Sequence, residues 1–443
     1  MLGLFFGLLL SPGQVPTAPG LIAIPSQDGE GGPKLNFLEV ETLGRGPVHE
    51  AYAAAGAAQN FSGNHWVTEP PPAALLEIPP GLGTTPTQIW IPGYWERDPE
   101  ENNWIWVSGC WREPPIGFGW LPGYWTQVRA NQWRRVGGVW SRGDGDTFSL
   151  EYTPAPPQQG SMNGGTPPRL DPRDGRSKGL IFSPAGWDWS GNRYSWRPGR
   201  LERFAESQVW QEQRQTWTPA GYIPSDGYID HRLGARGIAY APLRPVASGA
   251  APRRNPVADP ATEAIQPAGV WNANAWIECS WRDRTGNYYL GDYYSNFWKN
   301  SGMVPARDAR RRNGDPWLQC IEDQSALDDA AFRQLAWQHT ERLRGRQQPP
   351  ARQIKPDQKV PAGAPQPTVL PAGRLDLNDP ARDRMIRMVL DGLDHQNRLI
   401  RARMELERDK LEGKRLILKT PQAEKRKEEP EELTPFQTVK PKK

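Results

Sequence analysis

Five histidines, His49, His65, His231, His339 and His395, are the first candidates for acid–base or metal chemistry. None forms an HxH or HExxH pattern, and the three cysteines Cys110, Cys279 and Cys320 contain no CxxC pair, so no metal site is expected. The nearest constellation is Asp226, Asp230 and His231, in which Asp230 or His231 could serve a hydrolase as acid or base. Asp226-Gly227 is also a plain turn signal, and turn residues beside a strand-edge histidine account for the same letters. Glu96, Asp98, Glu100, Glu101 and Glu113 offer carboxylates for a glycosidase pair, which needs a separation of ~5–10 Å. They crowd around a turn, where solvated acids are ordinary. There is no GxxxxGK[ST] phosphate loop and no G-x-S-x-G elbow. A non-enzymatic chain with no cofactor is the expectation.

The aromatic residues carry the stronger pattern. Trp90-Ile-Pro-Gly-Tyr-Trp95, Trp106-Val-Ser-Gly-Cys-Trp111, Trp120-Leu-Pro-Gly-Tyr-Trp125 and Arg135-Val-Gly-Gly-Val-Trp140 are four copies of one unit, W-φ-x-G-x-W. Their starts at 90, 106, 120 and 135 give a period too short for a helical hairpin but right for one strand and one turn. A β-meander follows, with turns at Pro99–Asn103 and Pro114–Gly117. Alternation along each strand would set Trp90, Tyr94, Trp106, Trp120 and Tyr124 on one face and Trp95, Trp111, Trp125 and Trp140 on the other. Tryptophan and tyrosine on an open face would stack sugar rings, which makes these nine residues a candidate platform for cell-wall polysaccharide. Core packing is the competing use, because a meander must bury one face.

These units resemble the bacterial YXWGXW-repeat proteins over about residues 88–245, with the glycine set before Tyr-Trp rather than after Trp. The resemblance implies an exported aromatic repeat protein with a structural role in the cell envelope. It implies no catalytic residues.

The elements that must position the aromatics follow from composition. Glycine (45) and proline (47) are abundant, and the hydrophobic fraction is 37%, below the ~45–50% of an ordinary domain. No Val/Ile/Leu runs suit a buried parallel sheet, so a mainly β chain of short antiparallel modules is expected. The net charge of +4 is spread along the chain apart from Arg310–Arg312 and a lysine-rich tail, which argues against nucleic acid. Met1–Leu10 (MLGLFFGLLL) reads as the apolar core of a signal peptide within residues 1–20, and no later stretch is long enough to span a membrane.

Along the chain, 21–85 reads as a Gly/Pro/Ala-rich linker, 86–150 as the first aromatic module and 151–179 as a disordered linker. A second aromatic module covers 180–245, with Ser225–Tyr228 as a hairpin turn. After a linker at 246–268, a third aromatic segment fills 269–320. If the chain is exported, Cys279 and Cys320 are the pair to bridge, because both lie in that segment. A helix at 323–346, a Pro-rich linker at 347–375, a helix at 376–420 and a charged tail at 421–443 complete the chain. In the last helix Ile386, Leu390, Leu393, Asn397, Ile400 and Met404 alternate by four and three. That is a coiled-coil-like seam with one polar position, a candidate for homo-oligomerisation; other envelope proteins are, with cell-wall polysaccharide, the expected partners of the chain as a whole.

Overall fold

Aromatic and β-branched residues suit a pleated, half-buried surface, whereas Pro-Gly interrupts a ladder. A computed structural model describes residues 21–22, 24, 35–53, 66–143, 148, 150–157, 180–183, 186–203, 208–211, 213–225, 227–231, 233–246, 262–271, 280–283, 287–305, 369–371 and 381–413. It is mainly β, built of many short antiparallel sheets. The expected signal segment, the 323–346 helix, the charged tail, Asp226, Cys279 and Cys320 lie outside the described residues.

Each repeat unit is split at its x-Gly step. Ile89–Ile91 ends before Pro92-Gly93 and Tyr94–Asp98 begins after it. Tyr94–Asp98 pairs antiparallel with Asn103–Val107, and Ile89–Ile91 with Cys110–Arg112. Two units therefore make one bent hairpin, and the expectation of one strand per unit is corrected. The next two units repeat the arrangement, with Tyr124–Arg129 on Gln132–Val136 and Phe118–Leu121 on Val139–Arg142. Asn102 and Asn131 turn the two hairpins with left-handed φ of 53° and 56°, a conformation asparagine tolerates.

The looser second array folds the same way. Leu180–Ser183 pairs with Arg200–Arg203, and Gly186–Trp189 with Tyr194–Arg197. Gln208–Gln211 pairs with Tyr228–His231, and Arg214–Thr218 with Gly221–Ser225. In this array the strand segments are separated by 184–185, 198–199, 212–213 and 226–227, a spacing of 14 residues throughout. Ser225 ends one strand and Tyr228 starts the next, so the hairpin turn falls at Pro219-Ala220 rather than at 225–228.

The expected linker and modules are woven together. Leu35–Phe37 and Leu76–Glu77 flank Thr262–Ile265 in a parallel sheet. Val40–Thr42 reaches Asn103–Val107 through Leu243–Pro245, and Gly46–Pro47 pairs with Tyr288–Leu290. Gly237–Ala239 extends the sheet of Cys110–Arg112. One hydrophobic cluster contains Val48, Ile91, Trp140, Val209, Tyr228, Trp271 and Leu290, so all three aromatic segments share it. The described residues of 21–85 thus contribute strands and core where the composition alone suggested a linker.

The helix Ala381–Leu411 covers one side of the repeats. Ile386, Leu390 and Leu393 pack with Trp90, Trp111 and Tyr240. Ile400 packs with Tyr124 and Val136, with Met404 partly buried beside them. Asn397 accepts the Ile22 N–H at 3.1 Å and donates to the Ile22 carbonyl at 2.8 Å. The 4-3 seam thus packs against the repeats of its own chain. A wall of tryptophan needs an apolar cover, and this helix supplies one. Among the described residues no helix is long and apolar enough to cross a membrane.

Candidate functional site

The nine aromatic candidates do not form an open platform. Trp106 and Trp111 are essentially fully buried, and Trp90, Trp95, Trp120, Tyr124, Trp125 and Trp140 are at most 7% exposed. Tyr94 alone is half-buried. The indoles pair across strands, Trp90–Trp111 at 5.5 Å, Trp95–Trp106 at 5.3 Å and Trp120–Trp140 at 5.1 Å between centroids. These edge-on and tilted contacts are the geometry aromatic pairs prefer. Both faces are core because neighbouring strands and the C-terminal helix cover them.

The repeat glycines make room for two buried carboxylates. Gly93 and Gly109 both donate their N–H groups to Glu77 Oε2, at 2.9 and 2.8 Å. Gly138 donates to Glu50 Oε1 at 2.9 Å. A Cβ on Gly109 would meet the Ile91 carbonyl at 2.5 Å, and one on Gly93 would strike the Val107 carbonyl. Glycine is thus required by close approach of strands rather than by φ. Glu50 is paired with Arg135 at 2.5 Å, and although burial pushes its carboxyl up, Arg135 holds it below the usual range.

Glu77 is fully buried and has no ion pair among the described residues. Burial pushes its carboxyl up to about 7, against the pull of the two glycine N–H groups. The folded chain therefore holds this proton more tightly than the unfolded chain. The stabilisation is complete below the ordinary value of 4.5 and is lost as pH rises to about 7, amounting to about 3 kcal/mol. Glu96, also raised to about 7, adds in the same sense. His49, which burial lowers to about 4, opposes both as its protonation destabilises the fold on acidification. Unfolding free energies of the wild type and Glu77→Gln, measured from pH 4.5 to 7.5, should diverge by about 3 kcal/mol. Parallel profiles would rule out a buried proton on Glu77.

Asp230 belongs to a buried ionic triad. It meets Arg112 at 2.5 Å and Arg236 at 3.0 Å, with both guanidiniums fully buried. Burial raises its carboxyl, but Arg112 and Arg236 outweigh that and hold it low. Arg236 also donates to the Tyr52 and Ala53 carbonyls, and Arg112 to that of Ala51. His231 Nε2 lies 3.1 Å from the Pro114 carbonyl. The hydrolytic reading of Asp230 and His231 gives way to a structural one, since both carboxylate oxygens face arginine and not an opening.

An open site lies elsewhere. A cleft of about 390 Å³ is bounded by Trp66, Trp125, Tyr289, Tyr293 and Trp298, with Glu69, Glu96, Arg97, Asp98 and Asp283 among its polar lining. Its volume falls in the range of small-ligand pockets. The strand Tyr94–Asp98 supplies Glu96, Arg97 and Asp98, and its turn brings in Asn102. The third aromatic segment supplies the opposite wall through Tyr288–Leu290 and the short helix Asn296–Ser301. Trp298 is fixed by donating its Nε1–H to Glu100 at 2.6 Å. Asp283 accepts the Asn287 N–H at 2.9 Å and the Tyr289 hydroxyl at 3.3 Å. Arg97 bridges to Glu69 at 3.3 Å, and Arg45 to Asp98 at 3.3 Å. Glu96 and Asp98 were legible as turn acids in sequence. Asp283 and Tyr289 were not, because only the fold brings the third aromatic segment against the first hairpin.

No family model, no curated protein and no solved structure matches the chain.

Proposed function

We propose that the protein is a non-enzymatic binding protein of the bacterial cell envelope, exported by its apolar N-terminus. Its aromatic repeats are the scaffold, and the cleft between the first hairpin and the third aromatic segment takes a saccharide chain. The cleft carries this reading. Trp66 and Tyr289, the partly exposed aromatics of its lining, can stack against the apolar faces of sugar rings, while carboxylates accept hydrogen bonds from hydroxyls. The apolar start and the resemblance to YXWGXW-repeat proteins support the location. The test is co-sedimentation of the full chain with insoluble cell-wall polysaccharide. Retention is expected, falling about tenfold in Trp66→Ala, which removes a half-buried wall of the cleft. A folded full chain that stays in the supernatant would leave the repeats as an envelope scaffold alone.

A further inference from the structure

Resting on the saccharide reading of the cleft, we propose that it selects sugar units bearing a free amine over neutral or N-acetylated ones. The lining is acidic. Among the described lining residues, Glu69, Glu96, Asp98 and Asp283 stand beside one cation, Arg97. That cation is already engaged, by Glu69, by the Asn102 side chain at 2.8 Å and by the Trp104 ring at 5.4 Å. Arg45 neutralises Asp98. Glu96 has no ion pair among the described residues; its one hydrogen bond there is the Arg97 N–H at 3.3 Å.

A carboxyl in such a place favours a ligand that brings positive charge. Burial, with Glu50 and Asp283 nearby, pushes Glu96 up to about 7 against the pull of Arg135. An ammonium beside it would offset the desolvation of its anion, which a hydroxyl or an acetamide does less well. The aromatic walls act in the same direction, because an ammonium is attracted to the faces of Trp and Tyr. An acidic sugar would meet repulsion instead.

The same cleft disfavours a basic peptide. Tyr94–Asp98 is an edge strand, but two groups on its free edge are already taken. The Trp95 carbonyl accepts from Trp125 Nε1 at 3.0 Å, and the Arg97 N–H is bonded to Glu96. A peptide adding as a strand would need those groups.

Calorimetric titration of the full chain at pH 7 tests this, with glucosamine, N-acetylglucosamine and glucose hexasaccharides as probes. The glucosamine oligomer should bind at least about tenfold tighter than the other two, the effect of one charge-assisted contact. Glu96→Gln should abolish that preference, and Asp283→Asn should reduce it, with unfolding midpoints confirming that both variants fold. Equal affinity for the acetylated oligomer, a preference that survives Glu96→Gln, or tighter binding of an oligolysine peptide would overturn the selectivity. Binding of none of the three oligosaccharides would instead remove the saccharide reading beneath it.

Discussion

Replacing Asp230 with alanine is expected to lower the unfolding free energy by about 3–5 kcal/mol. Asp230 is 3% exposed and sits between two arginines that are 0% exposed. Removing it takes the carboxylate from between two buried guanidiniums. Neither can leave easily, because Arg112 and Arg236 also hold the carbonyls of the Glu50–Ala53 helix turn. The triad thus ties the first hairpin, the second array and the segment before the repeats together. Denaturant unfolding is the measurement. Glu69→Ala breaks an exposed pair with Arg97 and should cost no more than about 1 kcal/mol. A loss of that small size at Asp230 would contradict the buried triad.

Leu390→Ala should cost about 2–5 kcal/mol, because the side chain is fully buried against the tryptophans of the repeats. The same variant separates the two uses of the 4-3 seam. If the seam packs within the chain, wild type and variant sediment as the same species. If it joins two chains, the variant dissociates. Further along the helix, Arg403 donates to the Pro122 and Gly137 carbonyls at 3.0 and 3.1 Å, and Glu407 accepts from the hydroxyls of Tyr124 and Tyr152. These bonds read the turns and tyrosines of the second hairpin, so the helix is fitted to this surface in particular.

The mainly β character was legible because the W-φ-x-G-x-W letters recur at the period of strand and turn. The split of each unit at its glycine was not, since period alone does not distinguish one strand from two strands meeting at a corner. The second array hid the same device. Its breaks keep the 14-residue spacing, but Pro198-Gly199 is the only one of the four with the Pro-Gly letters. The helix seam was legible as a pattern, while its partner was not. Trp90 and Trp111 lie 300 and 279 residues before Leu390, and nothing local in the sequence links them. Glu77 shows the limit most clearly. A glutamate in a Pro-rich stretch reads as exposed, yet the strand Leu76–Glu77 carries it to the two glycine N–H groups at the heart of the first hairpin. Of the cleft, the acids of the first hairpin were visible and the opposing wall was not, because long-range pairing assembles it.

We propose that the repeat tryptophans are scaffold and that ligand enters the cleft; hydroxyl-radical footprinting of the full chain, with and without cell-wall polysaccharide, tests this. Trp66 and Tyr289 should label in the free protein and lose labelling when polysaccharide is bound. Trp90, Trp106, Trp111, Trp120 and Trp140 should stay unlabelled in both states. Labelling of those five tryptophans in the free protein, with protection by polysaccharide, would contradict the claim and restore the repeat faces as the binding surface.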